Sequence, residues 1–428
     1  MRRSLMATGL VVTAASLVLA GCSSSSSSSS SSPAAPASSA AAPASSAAPA
    51  GSSSGSPAAA ASNDGKPLVL GVVQAGSGFM GPIDTPARQA LLMEVDKVNA
   101  AGGVNGQPIK VNFIDTESKF GAYAPDAKKA IADGANVLVV TCDYDTAAPA
   151  ALVAEKSNVL NVAPCVGDPI YGPKGGLPNG FSMGDGVPGE GSVMAEFSNK
   201  QGYKNAVLLE DTSIKYTQDQ CKVFTQRFTE LGGKILNTYT YKQGDSVKET
   251  VSKIASSPTK PDVIVNCGYN PGGAAVAKEI RDGGLNQPIV SGFGMDGDFW
   301  VGSIPNLKDY YVVTYASKNG DDPDPAVNAY AAAFAKKYGS APAVGGFVTG
   351  PTTLQAILEA YKLSGSWDGT KMAAAMETLN NFPTLAGPTS FTKDLHINVN
   401  RPMRVLQVKN GKLVYDTEIT PTKVDFPQ

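Results

Sequence analysis

Short apolar runs alternate with segments of helical periodicity along most of this chain. Residues 68–73 form a continuous apolar run, which is typical of a parallel strand buried on both faces. Residues 86–100 then place Ala90, Leu91 and Val95 at helical spacing, which predicts a helix. The same criteria predict strands at 109–114, 137–141 and 159–163, and helices at 126–133 and 147–156.

The alternation starts again after residue 200. Strands are predicted at 206–209, 235–241, 263–266 and 289–291, and helices at 218–231, 247–255 and 274–282. Helices are also predicted at 326–338, 352–363 and 371–379, before a hairpin that turns at Asn410 and Gly411. Two successive runs of alternating strands and helices predict an α/β protein with two doubly wound, parallel-sheet lobes.

The first sixty residues have a different composition. Arg2 and Arg3 precede an apolar stretch at 5–19, which is shorter than a membrane span requires. Leu19-Ala20-Gly21-Cys22 ends this stretch and resembles a bacterial lipobox. We therefore expect residues 1–21 to be a lipoprotein signal peptide and Cys22 to carry the lipid. The alternative is an ordinary secretory signal with an incidental cysteine.

Residues 22–65 consist almost entirely of Ser, Ala, Pro and Gly after the cysteine. Such a segment has too little apolar content to offset its chain entropy, so it is expected to be a disordered tether. The remaining residues are too many for one compact core and suit two lobes. The net charge of −2 gives no basic face for nucleic acid. No second long apolar run follows, so the membrane is expected to be reached through the lipid alone.

Four cysteines follow Cys22, and an even number in an exported protein favours two disulfides. Three pairings are possible. We favour Cys142–Cys165 with Cys221–Cys267, because each pair then stays within one predicted lobe. A metal site is the alternative, but neither a C-x-x-C spacing nor a neighbouring histidine supports it.

Residues 102–109 (GGVNGQPI), followed by Asp115, resemble the helix-turn-strand signature of the branched-chain amino-acid (Leu/Ile/Val) binding proteins. Five further segments match this family in order and spacing, namely 76–82, 142–148, 164–169, 267–271 and 408–414. The resemblance implies a type 1 periplasmic-binding-protein fold, in which the chain crosses between the lobes three times through a three-strand hinge.

We place the crossings implied by this resemblance near Gly186, Ala316 and Ala386. Lobe one would then comprise residues 66–186 and 317–385, and lobe two residues 187–316 and 386–428. A ligand would lie in the cleft beyond the carboxyl ends of the strands, where open α/β sheets generally bind ligands.

The resemblance also implies which residues contact the ligand. Lobe one would contribute two residues of the glycine-rich loop and two later loops, and lobe two would contribute aromatic rings and an acid. The full set is Ser77, Phe79, Asp143, Tyr144, Cys165, Val166, Gly167, Tyr216, Tyr269 and Asp296, with Met295 as the alternative to Asp296.

Two of these positions depart from the family pattern. Asp143 stands where the family has a serine, and Gly167 where it often has a threonine whose hydroxyl contacts the ligand's carboxylate. Both changes weaken the expected contact with a carboxylate and favour a cationic or polyol ligand. Asp143 has another interpretation, as the N-cap of the following helix or a loop acid facing water.

The glycine-rich loop at 76–81 also fits the G-x-G-x-x-G pattern of dinucleotide sites. Pro82 follows it directly, and nicotinamide cofactors are not expected outside the cytoplasm, so a cleft loop is the better interpretation. Neither a catalytic triad nor a metal cluster is present in the sequence, so no enzymatic activity and no cofactor are expected.

The sequence therefore predicts an exported, lipid-anchored and monomeric solute-binding protein. It would capture a small polar molecule, an amino acid or a related compound, and deliver it to the membrane subunits of an ABC importer. The alternative function is a receptor of the same fold that reports its ligand to a signalling partner.

Overall fold

The computed structural model describes residues 64–427. The expected signal peptide, the lipidation site at Cys22 and nearly all of the expected tether lie outside these residues. Among residues 64–427, none of the helices combines the length and the apolar character needed to cross a membrane.

The described part of the chain contains thirteen strands and ten α-helices. The strands are β1 (Val69–Gln74), β2 (Lys110–Asp115), β3 (Val137–Val140), β4 (Leu160–Ala163), β5 (Gly180–Asp185), β6 (Asn205–Asp211), β7 (Lys234–Tyr241), β8 (Val263–Cys267), β9 (Ile289–Ser291), β10 (Tyr310–Thr314), β11 (Ile397–Asn398), β12 (Met403–Lys409) and β13 (Lys412–Ile419). The helices are α1 (Gly81–Ala100), α2 (Tyr123–Ala132), α3 (Tyr144–Lys156), α4 (Val187–Lys200), α5 (Lys215–Glu230), α6 (Lys248–Ser256), α7 (Gly272–Asp282), α8 (Pro325–Tyr338), α9 (Thr349–Ser364) and α10 (Gly369–Met376).

The first sheet has the strand order β11-β5-β4-β3-β1-β2, and its strands are parallel. Alternate side chains of its central strands enter two separate cores, as strand geometry requires. Leu70 and Val72 pack with α1 and α9 on one face, while Val73 and Leu138 pack with α2 and α3 on the other. Burial on both faces explains why β1 and β3 are continuous apolar runs.

The second sheet has the order β13-β12-β10-β9-β8-β6-β7. Its strands are parallel from β7 to β10, whereas β12 pairs antiparallel with both β10 and β13. Val265 of β8 faces a core shared with α4 and α5, and Ile264 faces a core shared with α6 and α7. The two predicted doubly wound sheets are therefore both present, and the predicted fold class is confirmed.

The chain passes between the two sheets three times. The first passage joins β5 to β6 through α4, whose N-cap is Gly186. The second follows β10, because the Tyr330 and Tyr338 hydroxyls of α8 donate to carbonyls of α1 in the first lobe. The third lies between β11 and β12, so residues up to Asn398 belong to the first sheet. The expected crossing near Ala386 is placed too early, because β11 has only two residues and no apolar run that would mark it.

Four of these elements were not predicted, namely β5, α4, β10 and the two-residue β11. The strand β5 reads GFSMGD and is fully buried, yet four of its six residues are Gly, Ser or Asp. Helix α4 contains a proline and two glycines and is buried along most of its length. Strand β10 was also not predicted, although its sequence YYVVT is rich in the aromatic and β-branched residues that strands favour.

Each lobe contains one disulfide. Cys142 and Cys165 join the segments after β3 and β4, with 4.6 Å between their Cα atoms. Cys221 of α5 and Cys267 of β8 are joined in the second lobe, with a Cα separation of 5.7 Å. These are the two pairings favoured by keeping each bond within one lobe. Each should contribute roughly 3 kcal/mol by restricting the unfolded chain.

Candidate functional site

A cavity of about 760 Å³ lies between the two lobes. Its wall on lobe one is formed by loops that follow β1, β3 and β4, and its wall on lobe two by loops that follow β6, β8 and β9. The lining residues are Gly78, Phe79, Met80, Pro82, Ile83, Cys142, Asp143, Cys165, Ile214, Tyr216, Tyr269, Asn270, Pro271, Ala274, Ala275, Lys278, Phe293, Gly294, Phe299, Trp300 and Ser303. Its size lies within the range of about 300–1,000 Å³ that is usual for small-molecule sites.

The glycine-rich loop is held from both of its ends. At its start, the buried carboxylate of Asp84 accepts hydrogen bonds from the amides of Ala75 and Cys142 and from the Thr141 hydroxyl. Further on, the Ser118 hydroxyl accepts from the Met80 amide at 3.0 Å. These bonds fix the ends of β1 and β3 against the start of α1, so the loop presents Phe79 and Met80 to the cavity in a defined position.

Asp143 combines the two roles that the sequence left open. Its backbone is extended, and its carboxylate accepts from the Thr146 amide at 3.2 Å and the Thr146 hydroxyl at 3.1 Å, so it caps α3. The residue is only 5% exposed and also lines the cavity. Burial, together with the neighbouring charge of Asp145, raises the pKa of Asp143 to about 7.

A buried polar network supports the wall on lobe two. One oxygen of the Glu190 carboxylate accepts from the Tyr216 hydroxyl at 2.7 Å, the Phe293 amide at 2.8 Å and the Gln220 side chain. The Tyr216 hydroxyl in turn accepts from the Gly294 amide at 3.0 Å. Burial raises the pKa of Glu190 to about 7. Because the Tyr216 hydroxyl is hydrogen-bonded to Glu190 and Gly294, the part of Tyr216 that is left to contact a ligand is mainly the face of its ring.

Aromatic rings approach each other across the cleft. Phe79 of lobe one and Tyr269 of lobe two have ring centroids 5.9 Å apart, and Phe120 stacks on the other side of Phe79 at 6.0 Å. Trp300 donates its indole N–H to the Met295 carbonyl at 3.0 Å, which fixes its ring in the wall. Contact between rings from both lobes shows that the cleft is closed in this structure.

A second interlobe contact, the clasp, consists of Asp145, Asp168 and Lys215. The Asp145 carboxylate of lobe one accepts from the Lys215 amide at the start of α5, at 3.0 Å. The Lys215 ammonium lies 3.3 Å from the buried Asp168 carboxylate of lobe one and also pairs with Asp219 of its own helix. Burial raises the pKa of Asp168, and the Lys215 charge opposes this shift. The clasp can form only when the lobes are close together.

Five of the expected ligand residues line the cavity and five do not. The residues in the wall are Phe79, Asp143, Cys165, Tyr216 and Tyr269. The residues outside it are Ser77, Tyr144, Val166, Gly167 and Asp296, and Met295, the alternative to Asp296, is also outside.

Each of the residues outside the wall has another structural partner. The Ser77 hydroxyl is exposed and donates to Asp115. Tyr144 packs edge-to-face against Tyr171, and Val166 is buried in the lobe-one core. Gly167 lies directly behind Tyr216, where an added Cβ would be 3.0 Å from the ring.

Asp296 does not line the cavity; its side chain instead stabilises a contact between the two lobes. Its carboxylate is fully buried and accepts from the Thr314 hydroxyl and the Gly345 amide, both at 2.7 Å. Burial raises its pKa to about 6. Because Gly345 precedes α9 in lobe one, this bond ties the two lobes together near the crossing segments.

The sequence reasoning missed most of the lobe-two wall. Pro271, Ala274, Ala275 and Lys278 come from the start of α7, and Phe293, Phe299, Trp300 and Ser303 come from the long segment after β9. Their position directly after β8 and β9 was an available signal, since the loops after parallel strands form such sites. Among the described residues, no cluster of three or more acidic, histidine or cysteine side chains is arranged to hold a metal ion.

Two α/β lobes, three crossing segments and a cavity between them define a two-lobed binding protein that encloses a small molecule. The chain belongs to the periplasmic binding protein family, whose model matches residues 67–412. This is a family of solute-binding proteins rather than enzymes, and its members act outside the cytoplasm with ABC importers. The expected family and the expected capture of a solute for an ABC importer are thereby confirmed.

Individual relatives agree with this assignment. The chain is 26% identical over 310 residues to Leu/Ile/Val-binding protein homolog 1 of Brucella suis, covering 69% of this chain and 78% of that protein. It is 23% identical over 355 residues to the Leu/Ile/Val-binding protein BraC3 of Rhizobium johnstonii, covering 81% and 93% of the two chains.

Solved structures show the same fold. The branched-chain amino acid transporter substrate-binding protein LivJ of Streptococcus pneumoniae, in complex with isoleucine, superposes with a TM-score of 0.75 at 22% identity, covering 83% of this chain and all of that one. A solute-binding protein of an ABC transporter from R. palustris, in complex with benzoate, superposes with a TM-score of 0.70 at 20% identity, covering 85% and 99% of the two chains.

Proposed function

We propose that this chain is anchored by a lipid on Cys22 and captures an amino acid or a related small polar compound as a monomer. It then presents the occupied, closed form to the membrane subunits of an ABC importer. The observation that carries this proposal is the cavity of about 760 Å³ whose wall is contributed by both lobes. Similar folds bind isoleucine in one relative and benzoate in another, so a cleft of this kind accommodates different small solutes.

Closure follows from the division of the wall between the lobes. A ligand that touches Phe79 and Asp143 on one side and Tyr216 and Phe293 on the other makes its full set of contacts only when the lobes are together. Its binding free energy therefore favours the closed population. The clasp forms in the same movement, which gives the importer a closed surface to recognise.

The cavity is tested by filling it. Ala275 is exposed on α7 and lines the cavity, whereas Ala255 is exposed on α6 of the same lobe and does not. We expect Ala275→Trp to abolish ligand binding because the indole occupies the ligand's volume, and Ala255→Trp to leave binding intact. The measurement is a thermal-shift screen of the full chain in mild detergent against amino acids, amines, polyols and aromatic acids.

A saturating ligand, at about 100 times its Kd, should stabilise the wild-type chain by roughly 2.7 kcal/mol. Normal binding by Ala275→Trp would show that the ligand lies elsewhere. Absence of any hit in the wild-type chain across all four classes would contradict solute capture.

The lipid anchor is tested separately by cell fractionation. Cys22→Ala removes the thiol that would carry the lipid, so we expect the variant to leave the membrane fraction while the wild-type chain remains there. Retention of the variant in the membrane fraction would contradict the anchor.

A further inference from the structure

The buried part of the cavity wall contains an acid but no base. Among the lining residues of the described chain, Asp143 is the only acid and Lys278 the only base. Lys278 is exposed on α7, and its ammonium pairs with Asp282 one turn further along the helix. The buried part of the wall therefore contains one carboxyl group and no cationic side chain.

The Asp143 carboxylate lacks a cationic partner. Its Oδ1 atom accepts both hydrogen bonds from Thr146, and its other oxygen has no hydrogen bond from the described residues. The charges that act on it come from Asp145 and Asp84, which are both acidic and repel it. A buried carboxylate is costly unless it is paired, so this oxygen is suited to a donor or a cation supplied from the cavity.

The remainder of the wall is largely apolar and includes six aromatic rings. The rings that line it are Phe79, Tyr216, Tyr269, Phe293, Phe299 and Trp300. The Tyr216 hydroxyl is bound to Glu190 and the Trp300 N–H to the Met295 carbonyl, so these two rings present apolar faces rather than donors. Aromatic faces attract cations through the quadrupole of the ring and also bury an apolar ligand body.

The wall is poorly suited to an anionic group. A ligand carboxylate near Asp143 would find no cationic side chain in the buried part of the wall, and it would repel the ionised form of Asp143. A threonine hydroxyl cannot be supplied from position 167 without displacing Tyr216, because an added Cβ would lie 3.0 Å from the ring. A side chain at this position would therefore have to shift the tyrosine that forms the opposite wall by a few tenths of an ångström.

We infer that the ligand of this cavity is an organic ammonium ion with an apolar or aromatic body and no free carboxylate, whose cationic group pairs with Asp143. The inference rests on the proposed function and names the class of solute. The apolar body lies among the aromatic rings, and the ammonium group donates to the carboxylate oxygen that Thr146 leaves open. The burial of Asp143 supports this arrangement, because a buried carboxylate stays ionised at low cost only when an opposite charge pairs with it.

The test uses three probes that each have an apolar body and that differ in charge. Isothermal titration calorimetry of the full chain in mild detergent would compare phenethylamine, 3-phenylpropionate and leucine at neutral pH. We expect phenethylamine to bind at least about tenfold more tightly than either of the others, because a charge-assisted hydrogen bond replaces a like-charge contact.

The variant Asp143→Asn links this preference to the carboxylate. Asparagine is also a good N-cap, so α3 should remain intact. We expect the variant to lose about tenfold or more of its affinity for phenethylamine and to gain relative affinity for 3-phenylpropionate. The matched control is Asp324→Asn, which changes the capping acid of α8 outside the cavity and should leave all three affinities unchanged.

The outcomes separate the inference from the proposed function. Tighter binding of leucine or 3-phenylpropionate would overturn the inference while supporting solute capture. An unchanged affinity of Asp143→Asn for phenethylamine would overturn the role of the carboxylate. Failure of all three probes to bind would overturn the inference, and the thermal-shift screen would then decide whether solute capture itself also fails.

Discussion

The contacts between the two lobes differ greatly between the crossing segments and the cleft. Near the crossings, the buried Arg401 guanidinium donates to the carbonyls of Ala386, Met183 and Gly184, and the Tyr315 hydroxyl donates to the Asp185 carbonyl. At the cleft, the clasp depends on Lys215, whose side chain is 39% exposed. The first set of contacts is enclosed by protein, whereas the second lies at the edge of solvent.

This difference indicates where the molecule can open. A buried polar group that loses its partner keeps its desolvation penalty, so the contacts of Arg401 are costly to break. The Lys215 ammonium is 39% exposed, so water can replace its partner when the lobes separate, and its pair with Asp168 is easier to break than the enclosed contacts of Arg401. The lobes should therefore separate at the clasp while they remain joined at the crossings, which is the movement that a cleft needs to admit a ligand.

The largest expected effect is the loss of stability caused by a substitution at the crossing segments. Arg401→Ala leaves three carbonyls without their donor and removes the cation that lies 4.0 Å from the buried Asp185 carboxylate. We expect the free energy of unfolding to fall by about 3–5 kcal/mol, measured by urea denaturation. Lys393→Ala, an exposed position in the preceding loop, is the control and should change it by less than about 0.5 kcal/mol. A loss below about 1 kcal/mol for Arg401→Ala would contradict this view of the crossings.

The smallest expected effect is the loss of ligand affinity caused by a substitution in the clasp. Lys215→Ala removes the ammonium that reaches Asp168 but keeps the backbone amide that binds Asp145. Because the Lys215 side chain is 39% exposed and water can take its place beside Asp168, we expect ligand affinity to weaken by no more than about fivefold, and the free energy of unfolding to fall by less than it does for Arg401→Ala. The control is Lys222→Ala, since Lys222 pairs only within its own helix. Equal affinities for both variants would show that Lys215 does not favour closure.

The sequence predicted most of the fold because buried parallel strands are continuous apolar runs. β1, β3, β8 and β9 were located within a residue or two for this reason. β5 was missed because Gly180, Ser182 and Asp185 interrupt its apolar pattern, although all its residues are buried by neighbouring strands. The third crossing was misplaced because β11 pairs with β5 through only two residues, which is a tertiary contact without a local pattern.

The candidate site was predicted only in part, for a different reason. The loop after a strand can be recognised from sequence, and the family resemblance then implied Phe79, Asp143 and Tyr269 as ligand residues, all three of which line the cavity. The direction of a side chain within such a loop depends on its partners. Asp296 follows a strand as expected, but Thr314 and Gly345 hold its carboxylate away from the cavity.

The central claim is that the lobes pivot about the buried crossings and close on a solute. Small-angle X-ray scattering of the full chain, with and without a saturating ligand from the thermal-shift screen, tests it most directly. We predict that the ligand reduces the radius of gyration of the wild-type chain, and that Ala275→Trp shows no change under the same conditions. An identical radius for the wild-type chain with and without bound ligand would contradict closure.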